Sequence, residues 1–257
     1  MSEIEWWRLK AADINALATR DAVVIVPVGS TEQHGPHLPT QVDSLLVGEI
    51  ARRAARQAAA TTPIVVAPTV WSGLAEHHMS LGGTLSLDFS TFMALLRCIC
   101  RSLVRQGFRR ILLLNGHGGN IAALTVVVNE LAVEFDAPIA TTSYWPLASA
   151  AFGRILERQK NVRHACEAET SMLLALVPDL VDMSRAAEAV GPTSPELAEV
   201  VGSEAVHRWR SFKSRTHHGA IGDPRAASAE KGERLLAAAA DAVAKVVSNR
   251  DFWALPA

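Results

Sequence analysis

The sequence predicts an α/β fold in which a mainly parallel central sheet is covered by helices on both faces, giving a three-layer sandwich. Short apolar, β-rich runs alternate with longer segments whose apolar residues recur at helical spacing, and turn residues bound each short run. This alternation is typical of parallel strands joined by helical crossovers. Folds of this kind often hold 257 residues in one domain, so we expect a single domain over residues 1–257.

Four strands are expected where the apolar runs are too short for a helix, at residues 22–28, 63–70, 110–115 and 138–144. Helices are expected where apolar residues recur every three or four positions, at residues 44–58, 90–106, 122–135 and 229–249. Residues 188–206 contain Gly191, Pro192 and Pro195 among scattered acids, which favours a loop or an insertion.

Charge and composition exclude several classes of partner. The 25 basic and 26 acidic residues give a formal net charge of -1, which argues against a nucleic-acid partner or a polybasic membrane anchor. We expect no membrane partner, because no apolar run approaches the roughly 20 residues of a membrane span. The three cysteines form no C-x-x-C pair and the N-terminus MSEIEWWRLK lacks a secretory pattern, so we expect reduced thiols and a cytoplasmic location.

The first chemical signal is GSTEQHGPHLPTQVD, which follows the first expected strand. α/β proteins bind ligands in loops at the carboxyl ends of parallel strands. Glu32, His34 and Asp43 supply the carboxylate and imidazole groups that suit zinc, manganese or iron. Glu32 and His34 point the same way if the segment is extended. A polar, solvated loop is the alternative interpretation.

The second signal is NGHGGN, in which a buried strand leads through a glycine-rich turn into a helix. Gly118 and Gly119 allow a close backbone approach and leave N–H groups free near the start of the helix. A phosphate cradle is the rival interpretation, but the G-x-G-x-x-G spacing is absent and no Lys-Ser or Lys-Thr follows. His117 within this turn fits a metal ligand better.

Two further stretches add acids and histidines. RHACEAETS places His164, Glu167 and Glu169 at the start of an apolar helix, where acids also suit the helix dipole. Simple capping is as good an interpretation of Glu167 as ligation, whereas Glu169 would complete a set of carboxylate ligands. GLAEHHMSLGGTLSL contains His77 and His78, and we expect at most one of these adjacent side chains to face a site.

Taken together, these blocks resemble the creatininase family of metal-dependent creatinine amidohydrolases. The ordered blocks are GSTEQHGPHLP followed by Asp43, GGTLSL, NGHGGN, HACEAETS and IGDPRAASAEKG. The resemblance implies an α/β fold and two divalent metal ions per chain, with zinc the first expectation and manganese or iron as alternatives. It also implies a homo-oligomer, a ring-like hexamer.

The resemblance implies site residues position by position. Glu32, His34, Asp43 and His117 match metal ligands, with Asp43 bridging both ions. The founding enzyme has a glutamate at the position of Gly119, so Glu169 is the expected fifth ligand. His164 matches a histidine near the substrate and is the expected general acid. Expected substrate contacts come from four residues: His78, Gly118, Gly119 and Trp145, the last matching an aromatic lid.

The implied activity is hydrolysis of a C–N bond in a small cyclic or linear amide, with non-peptide amides such as creatinine as the first expectation. A water activated by the two metals would attack the carbonyl. The family also includes formamide deformylases and peptidases that trim small modified peptides, and nothing in the sequence selects among them. Lys213 or Arg215 would suit a carboxylate-bearing substrate, although a solvated loop is the simpler interpretation of these charges.

A binding protein without turnover is the alternative from another class. The same scaffold with a degenerate metal site would bind a nucleotide or metabolite through NGHGGN. Against this, every expected ligand position holds a residue able to bind a metal.

Overall fold

A four-stranded sheet forms the centre of the structure, a computed structural model that describes residues 3–191 and 208–254. Its strands are β1 (Val23–Val28), β2 (Ile64–Val66), β3 (Ile111–Asn115) and β4 (Ile139–Ser143). All pairs are parallel and the spatial order is β2-β1-β3-β4. Ile25 of β1 lies between Val66 and Leu112 in the ladder. The predicted parallel sheet is therefore confirmed.

Helices connect the strands and cover the sheet. Their bounds are α1 (Ala11–Thr19), α2 (Val42–Ala58), α3 (Phe89–Arg105), α4 (Ile121–Phe135), α5 (Tyr144–Leu147), α6 (Ser149–Ile155), α7 (Glu167–Leu176), α8 (Ala229–Ser248) and α9 (Arg250–Trp253). The four predicted helices correspond to α2, α3, α4 and α8. Of the predicted loop at 188–206, residues 192–206 lie outside the described residues, and a 3-10 helix runs over Met183–Ala189.

Alternate residues of the central strands enter two separate hydrophobic cores. Val23 and Ile25 pack in one core with α2, α7 and α8. Val24 and Val26 pack in the other, with α3 and α4. Because successive side chains of a strand point to opposite faces, a strand buried on both faces is apolar throughout, as β1 is. The three-layer arrangement predicted from the sequence is confirmed.

Side-chain caps lie at the starts of α3 and α8. Asp88 accepts a hydrogen bond from the backbone N–H of Thr91 at 2.7 Å, at the start of α3. Ser228 accepts one from the backbone N–H of Lys231 at 3.2 Å, at the start of α8. Each cap satisfies an N–H that the first turn of a helix leaves without a partner.

The predicted second strand is longer than the observed one. Regular pairing of β2 with β1 ends at Val66, and the chain returns only for a single bridge between Val70 and Val28. At the other edge, β4 ends at Ser143 and Tyr144 begins α5, with its side chain buried in the core near Phe152.

One apolar stretch is longer than the sequence analysis expected. Gly118–Phe135, which includes α4, has 18 residues and a mean hydropathy of 1.2, enough by length and composition to cross a membrane. The expectation that no apolar run approaches a span is wrong in this respect. A single helix of this kind is weak evidence for a membrane, since core helices pass the same test, and α4 packs Leu124, Val127 and Leu131 against the sheet.

The sheet order locates the functional edge. The chain leaves β1 for β2 on one side and returns to place β3 on the other side of β1. The helices that follow β1 and β3, α2 and α4, therefore lie on opposite faces. This divergence opens a crevice beyond the carboxyl ends of β1 and β3, which is where doubly wound folds bind ligands.

The close contact between α7 and α8 gives a testable prediction. A Cβ at Gly232 of α8 would overlap the backbone carbonyl of Ser171 in α7. We expect Gly232→Ala to lower the free energy of unfolding by about 1–3 kcal/mol, because α8 would be pushed away from α7. Urea unfolding measures this change.

Gly153→Ala in α6 is the matched control. The nearest atom to its added Cβ would be the Lys160 carbonyl oxygen at 3.4 Å, an ordinary contact. Alanine is favoured over glycine within helices by up to about 1 kcal/mol, so this variant is expected to be neutral or slightly stabilised. Equal losses of stability in both variants would contradict the assignment of a special close approach at Gly232.

Candidate metal centre

The loop after β1 turns three ligand-type side chains toward the crevice. Glu32 is buried, and its Oε2 accepts a hydrogen bond from Ser30 Oγ at 2.9 Å. His34 is buried, with Nδ1 3.1 Å from the backbone carbonyl oxygen of Glu32. An Nδ1–H donated to that carbonyl leaves Nε2 as the free ligand atom. Asp43 follows in the first turn of α2.

The end of β3 supplies the fourth side chain. His117 directly follows Asn115 and Gly116, and the Asn115 side chain donates to the His117 carbonyl at 2.8 Å. Nε2 of His117 lies 3.2 Å from the carbonyl oxygen of Leu74. An Nε2–H donated there directs the Nδ1 lone pair at Glu32 Oε2 and Asp43 Oδ2, which are 3.1 and 3.0 Å away.

Only one of the two acids at the start of α7 joins this group. Glu169 Oε2 lies 3.9 Å from His34 Nε2 and accepts a hydrogen bond from the backbone N–H of Ala165. Glu167 instead accepts bonds from the backbone N–H groups of Glu157 and Arg158 and from Lys231 Nζ. The buried Glu167 thus anchors a loop, and the structure brings Glu169 to the cluster.

The four ligand-type residues around Asp43 divide into two groups that share its carboxylate. One group is Glu32, Asp43 and His117, and the other is His34, Asp43 and Glu169. In each group the ligand atoms lie within 4.8 Å of one another. Oδ1 of Asp43 faces His34 at 3.2 Å, while Oδ2 faces His117. A bridging carboxylate between two metal positions has this arrangement.

The unsatisfied atoms of the cluster fit bound cations. Glu32 Oε1, His34 Nε2 and Asp43 Oδ2 are all buried, and none has a hydrogen-bond partner among the described residues. Each lies only 3.0–3.2 Å from a polar atom of a neighbouring side chain. Buried polar atoms are rarely left unbonded. Carboxylate and imidazole ligands in this number suit zinc or manganese.

Several buried carboxyl groups lie close together in the cluster, and protons bound to its side chains compensate their negative charge. Burial raises the pKa of Glu169 to about 8 and also raises the pKa of Glu32. Burial alone would lower the pKa of His34, but the Asp43 carboxylate raises it to about 9. Burial opposes ionisation of Asp43 too, yet the positive charges of His34 and His117 hold its pKa below the ordinary value. Divalent cations would supply the positive charge that protons on these imidazoles otherwise provide.

His164 lies at the edge of the cluster, with its ring next to that of His34 and tilted relative to it. The two ring centroids are 4.1 Å apart, and His164 Nδ1 is 3.5 Å from Glu32 Oε1. His164 forms a third possible ligand group with Glu32 and His34. Burial and the nearby positive charges of His34 and His78 hold the pKa of His164 well below its ordinary value, which favours a neutral imidazole.

The side chain of Gln33, which the sequence analysis did not single out, ties three parts of the site together. Its Nε2 lies 2.8 Å from His78 Nδ1, 3.1 Å from His164 Nε2 and 3.0 Å from the Gly219 carbonyl oxygen. Its Oε1 accepts from the backbone N–H of Gly35. The amide therefore orients two histidines of the site. Its position between two ligand residues was the only sequence signal.

Both histidines of the adjacent pair lie at the site, so the expectation that at most one would do so is wrong. The ring of His77 is 5.7 Å from that of His117, and the ring of His78 is 6.2 Å from it. A 3-10 helix over Glu76–Leu81 replaces the extended backbone that would separate them. His78 Nε2 faces Glu32 Oε1 at 3.2 Å, beneath the ring of Phe212.

The remaining predicted contacts lie around this centre. Gly118 is exposed, whereas a Cβ at Gly119 would overlap His117 Nε2 and the carbonyl of Leu74. Position 119 therefore has no room for a glutamate without a shift of its neighbours. Trp145 is half-buried against the core and edge-on to Tyr144. Substrate contacts by these residues stay predictions.

Comparison with known proteins gives a consistent result. Residues 7–247 match the family described as creatinine amidohydrolase, creatininase. A mycofactocin precursor peptide peptidase of Mycolicibacterium smegmatis is 37% identical over 220 residues, 84% of this chain and 80% of the relative. A creatinine amidohydrolase of Pseudomonas putida is 30% identical over 264 residues, 96% of this chain and 95% of the relative.

Solved structures share the fold. The crystal structure of a creatinine amidohydrolase superposes with a TM-score of 0.82 at 27% identity, covering 96% of this chain and 97% of that one. Creatininases solved in a Zn-Zn form, in a Mn form and in complex with creatine each give a TM-score of 0.81 and cover 98% of this chain and 99% of theirs, at identities of 26% or 27%. With the family match spanning nearly the whole chain, the protein belongs to the creatininase family.

Proposed function

We propose that this family member is a dinuclear metalloenzyme that hydrolyses a C–N bond of a small cyclic or linear amide. The observation that carries the proposal is the pair of ligand groups sharing Asp43, each with buried ligand atoms that have no hydrogen-bond partner among the residues the structure describes. Glu32 and His117 would hold one divalent ion, and His34 and Glu169 the other. When bound, such ions supply a water of lowered pKa and polarise a carbonyl group.

His164 has the position and ionisation for proton transfer. Its imidazole is neutral when its pKa is low, so it can first accept a proton from an attacking water. The protonated ring can then donate to the departing nitrogen, which is the acid role expected from the sequence. Gln33 fixes the ring by contacts to Nε2 and leaves Nδ1 toward Glu32.

Other residues of the chain position the reacting groups. The carbonyl groups of Glu32 and Leu74 orient the imidazoles of His34 and His117. Backbone N–H groups at Gly118 and Gly119, near the start of α4, would hold a substrate oxygen. His78 and Trp145 complete the proposed substrate-binding set.

A short peptide is the second candidate substrate. Relatives named mycofactocin precursor peptide peptidase are 37% and 31% identical to this chain, against 30% for the creatinine amidohydrolase. Peptide and creatinine hydrolysis both need attack on an amide-type carbonyl, so the same residues serve either reaction. We also propose a cytoplasmic homo-oligomer, a hexamer, by the family resemblance.

Metal content separates the hydrolase from a binding protein without turnover. Purification without chelator followed by elemental analysis is expected to give about two divalent ions per chain, the number a dinuclear site requires. The binding protein would be favoured instead if the purified chain holds no metal and takes up neither zinc nor manganese when they are added. Nucleotide binding in a calorimetric titration would complete that result.

Asp43→Asn is expected to lose both metal positions together, because each oxygen of Asp43 faces a different ligand group. The measurement is metal content per chain and turnover of creatinine, formamides and short peptides. Glu76→Gln is the control, since Glu76 is an exposed acid beside His77 and should retain metal and activity. Turnover by a metal-free Asp43→Asn protein would refute the proposed function.

His164→Ala is expected to keep both ions while kcat falls about 10²- to 10⁴-fold, the usual contribution of a general acid–base group. Elemental analysis and steady-state kinetics measure the two effects separately. His217→Ala, at an exposed histidine, should change neither. If His164→Ala loses metal, His164 is a ligand and the proton-transfer role is wrong.

Metal removal is expected to destabilise the fold, because three buried carboxylates would lose cationic partners. A ligand present at 100 times its Kd stabilises the native state by about 2.7 kcal/mol. Zinc or manganese should therefore raise the midpoint of urea unfolding, and EDTA should reverse the gain. Asp43→Asn should show no metal dependence, and an equal midpoint with metal and with EDTA in the unmutated protein would contradict a structural contribution.

A further inference from the structure

A half-buried arginine, Arg215, packs on Phe212, the aromatic neighbour of the site histidines. The 3-10 turn Phe212–Ser214 ends at Arg215, whose backbone N–H donates to the Phe212 carbonyl at 2.9 Å. This turn brings the Arg215 guanidinium over the Phe212 ring, with Cζ 5.9 Å from the ring centroid. The arrangement is a cation–π contact, which orients the guanidinium without neutralising its charge.

The Phe212 ring contacts both this guanidinium and the histidines of the site. Phe212 is buried and stacks on His78, with ring centroids 4.2 Å apart. It also meets His164 edge-on at 4.6 Å. A ligand group held by Arg215 would therefore lie one aromatic ring away from the residues proposed to perform the reaction.

The charge of Arg215 has no partner in the part of the chain that the structure describes. Its Nε is buried without a hydrogen-bond acceptor, and it forms no salt bridge there. Two other arginines of the same half of the chain are paired, Arg185 with Glu188 at 2.9 Å and Arg225 with Asp223 at 2.7 Å. A half-buried guanidinium without an acceptor is costly unless a ligand supplies one.

Arg215 and Lys213, the two basic residues of this segment, differ in the structure. Lys213 is exposed to solvent, and among the described residues it is Arg215, half-buried, whose cationic group lies over the Phe212 ring. Burial and the neighbouring Arg210 hold the pKa of Arg215 below its ordinary value, although a guanidinium stays charged at neutral pH. The solvated-loop interpretation therefore fits Lys213 and does not fit Arg215.

We propose that Arg215 binds a carboxylate of the substrate and so selects amides that carry one, such as a short peptide with a free C-terminus or an N-acyl amino acid. This inference rests on the proposed function. The planar guanidinium can donate two parallel hydrogen bonds to a carboxylate, a geometry that an ammonium group cannot match. The scissile carbonyl would lie at the metal centre while the carboxylate lies beyond Phe212.

Matched acid and amide probes test this assignment by binding. The probes are N-acetylglycine, N-acetylglycylglycine and N-acetyltriglycine, each compared with its C-terminal carboxamide by isothermal titration of the full chain. At least one acid is expected to bind about 10- to 100-fold more tightly than its carboxamide, as is usual for a charge-assisted contact away from bulk water. Arg215→Gln should abolish this preference, and Arg215→Lys should retain part of it.

Lys213→Gln is the matched control, and it should keep the full preference for the acid. The assignment of carboxylate binding to Arg215 is overturned if no acid of the series binds more tightly than its carboxamide. It is also overturned if Arg215→Gln keeps the difference in affinity between acid and carboxamide. Unchanged metal content and unfolding midpoint in Arg215→Gln would show that the variant is folded. If Arg215→Gln fails to fold, the comparison of Arg215→Lys with Lys213→Gln decides, and equal acid preference in those two variants overturns the assignment.

Failure of the proposed function gives a different pattern. A chain without metal and without turnover that still binds an acid through Arg215 would refute the hydrolase while retaining the carboxylate site. Where a probe is hydrolysed, Arg215→Gln should raise KM with little change in kcat, because the contact is made equally in the ground and transition states. A loss confined to kcat would instead assign Arg215 to the catalytic step and overturn the binding role.

Discussion

The carboxylate of Asp43 is buried between two imidazoles, and each of its oxygens faces a different one. The other ligand-type residues are arranged around this single group, with Glu32 and His117 on one side and His34 and Glu169 on the other. So many buried ionisable groups would be costly in a dry interior without compensating cations. The cost of burying these groups is visible in two ways: some ligand atoms have no hydrogen-bond partner among the described residues, and the pKa values of the cluster are shifted.

The sheet order makes this arrangement possible. Asp43 lies in the first turn of the helix after β1, and His117 lies just after the end of the neighbouring strand β3, so two segments far apart in sequence meet beyond the carboxyl ends of these strands. Carbonyl groups behind the imidazoles then determine which nitrogen of each ring faces the carboxylates. Orientation in the centre thus depends on backbone groups as much as on the ligands themselves.

Around the centre, the chain has features of its own. Position 119 is a glycine backed by His117 and His77, and Glu169 from α7 supplies the carboxylate on the other side of Asp43. Gln33 and Phe212 contact His164 and Arg215 packs on Phe212, so these three residues form a wall of the site that the sequence pattern did not predict as a group. Because the ligand set serves any amide, we infer that this wall carries the choice of substrate, and relatives that act on creatinine and on a precursor peptide are consistent with such a division.

Much of the architecture was determined by the sequence itself. Apolar runs and helical spacing predicted the sheet, four helices and the three layers, because periodicity reflects which faces are buried. The blocks around Glu32, His34, Asp43 and His117 indicated a metal centre, since the residue types and their place after strands are local properties. The second strand was predicted too long and the small helices α1, α5, α6 and α9 were not predicted, because packing rather than local pattern decides them.

Only the tertiary structure decided which of the flanking residues face the centre. Glu167 and Glu169 both begin the same helix, and the sequence favoured Glu169 as the ligand without excluding Glu167, yet in the structure one anchors a loop to Lys231 and the other reaches His34. His77 and His78 both lie at the site because a 3-10 turn curls the backbone there. Lys213 is exposed, whereas Arg215 is half-buried on Phe212, although both are basic residues of one short segment. These differences depend on contacts with side chains from distant segments of the chain. The spacing of residues along the sequence does not predict such contacts.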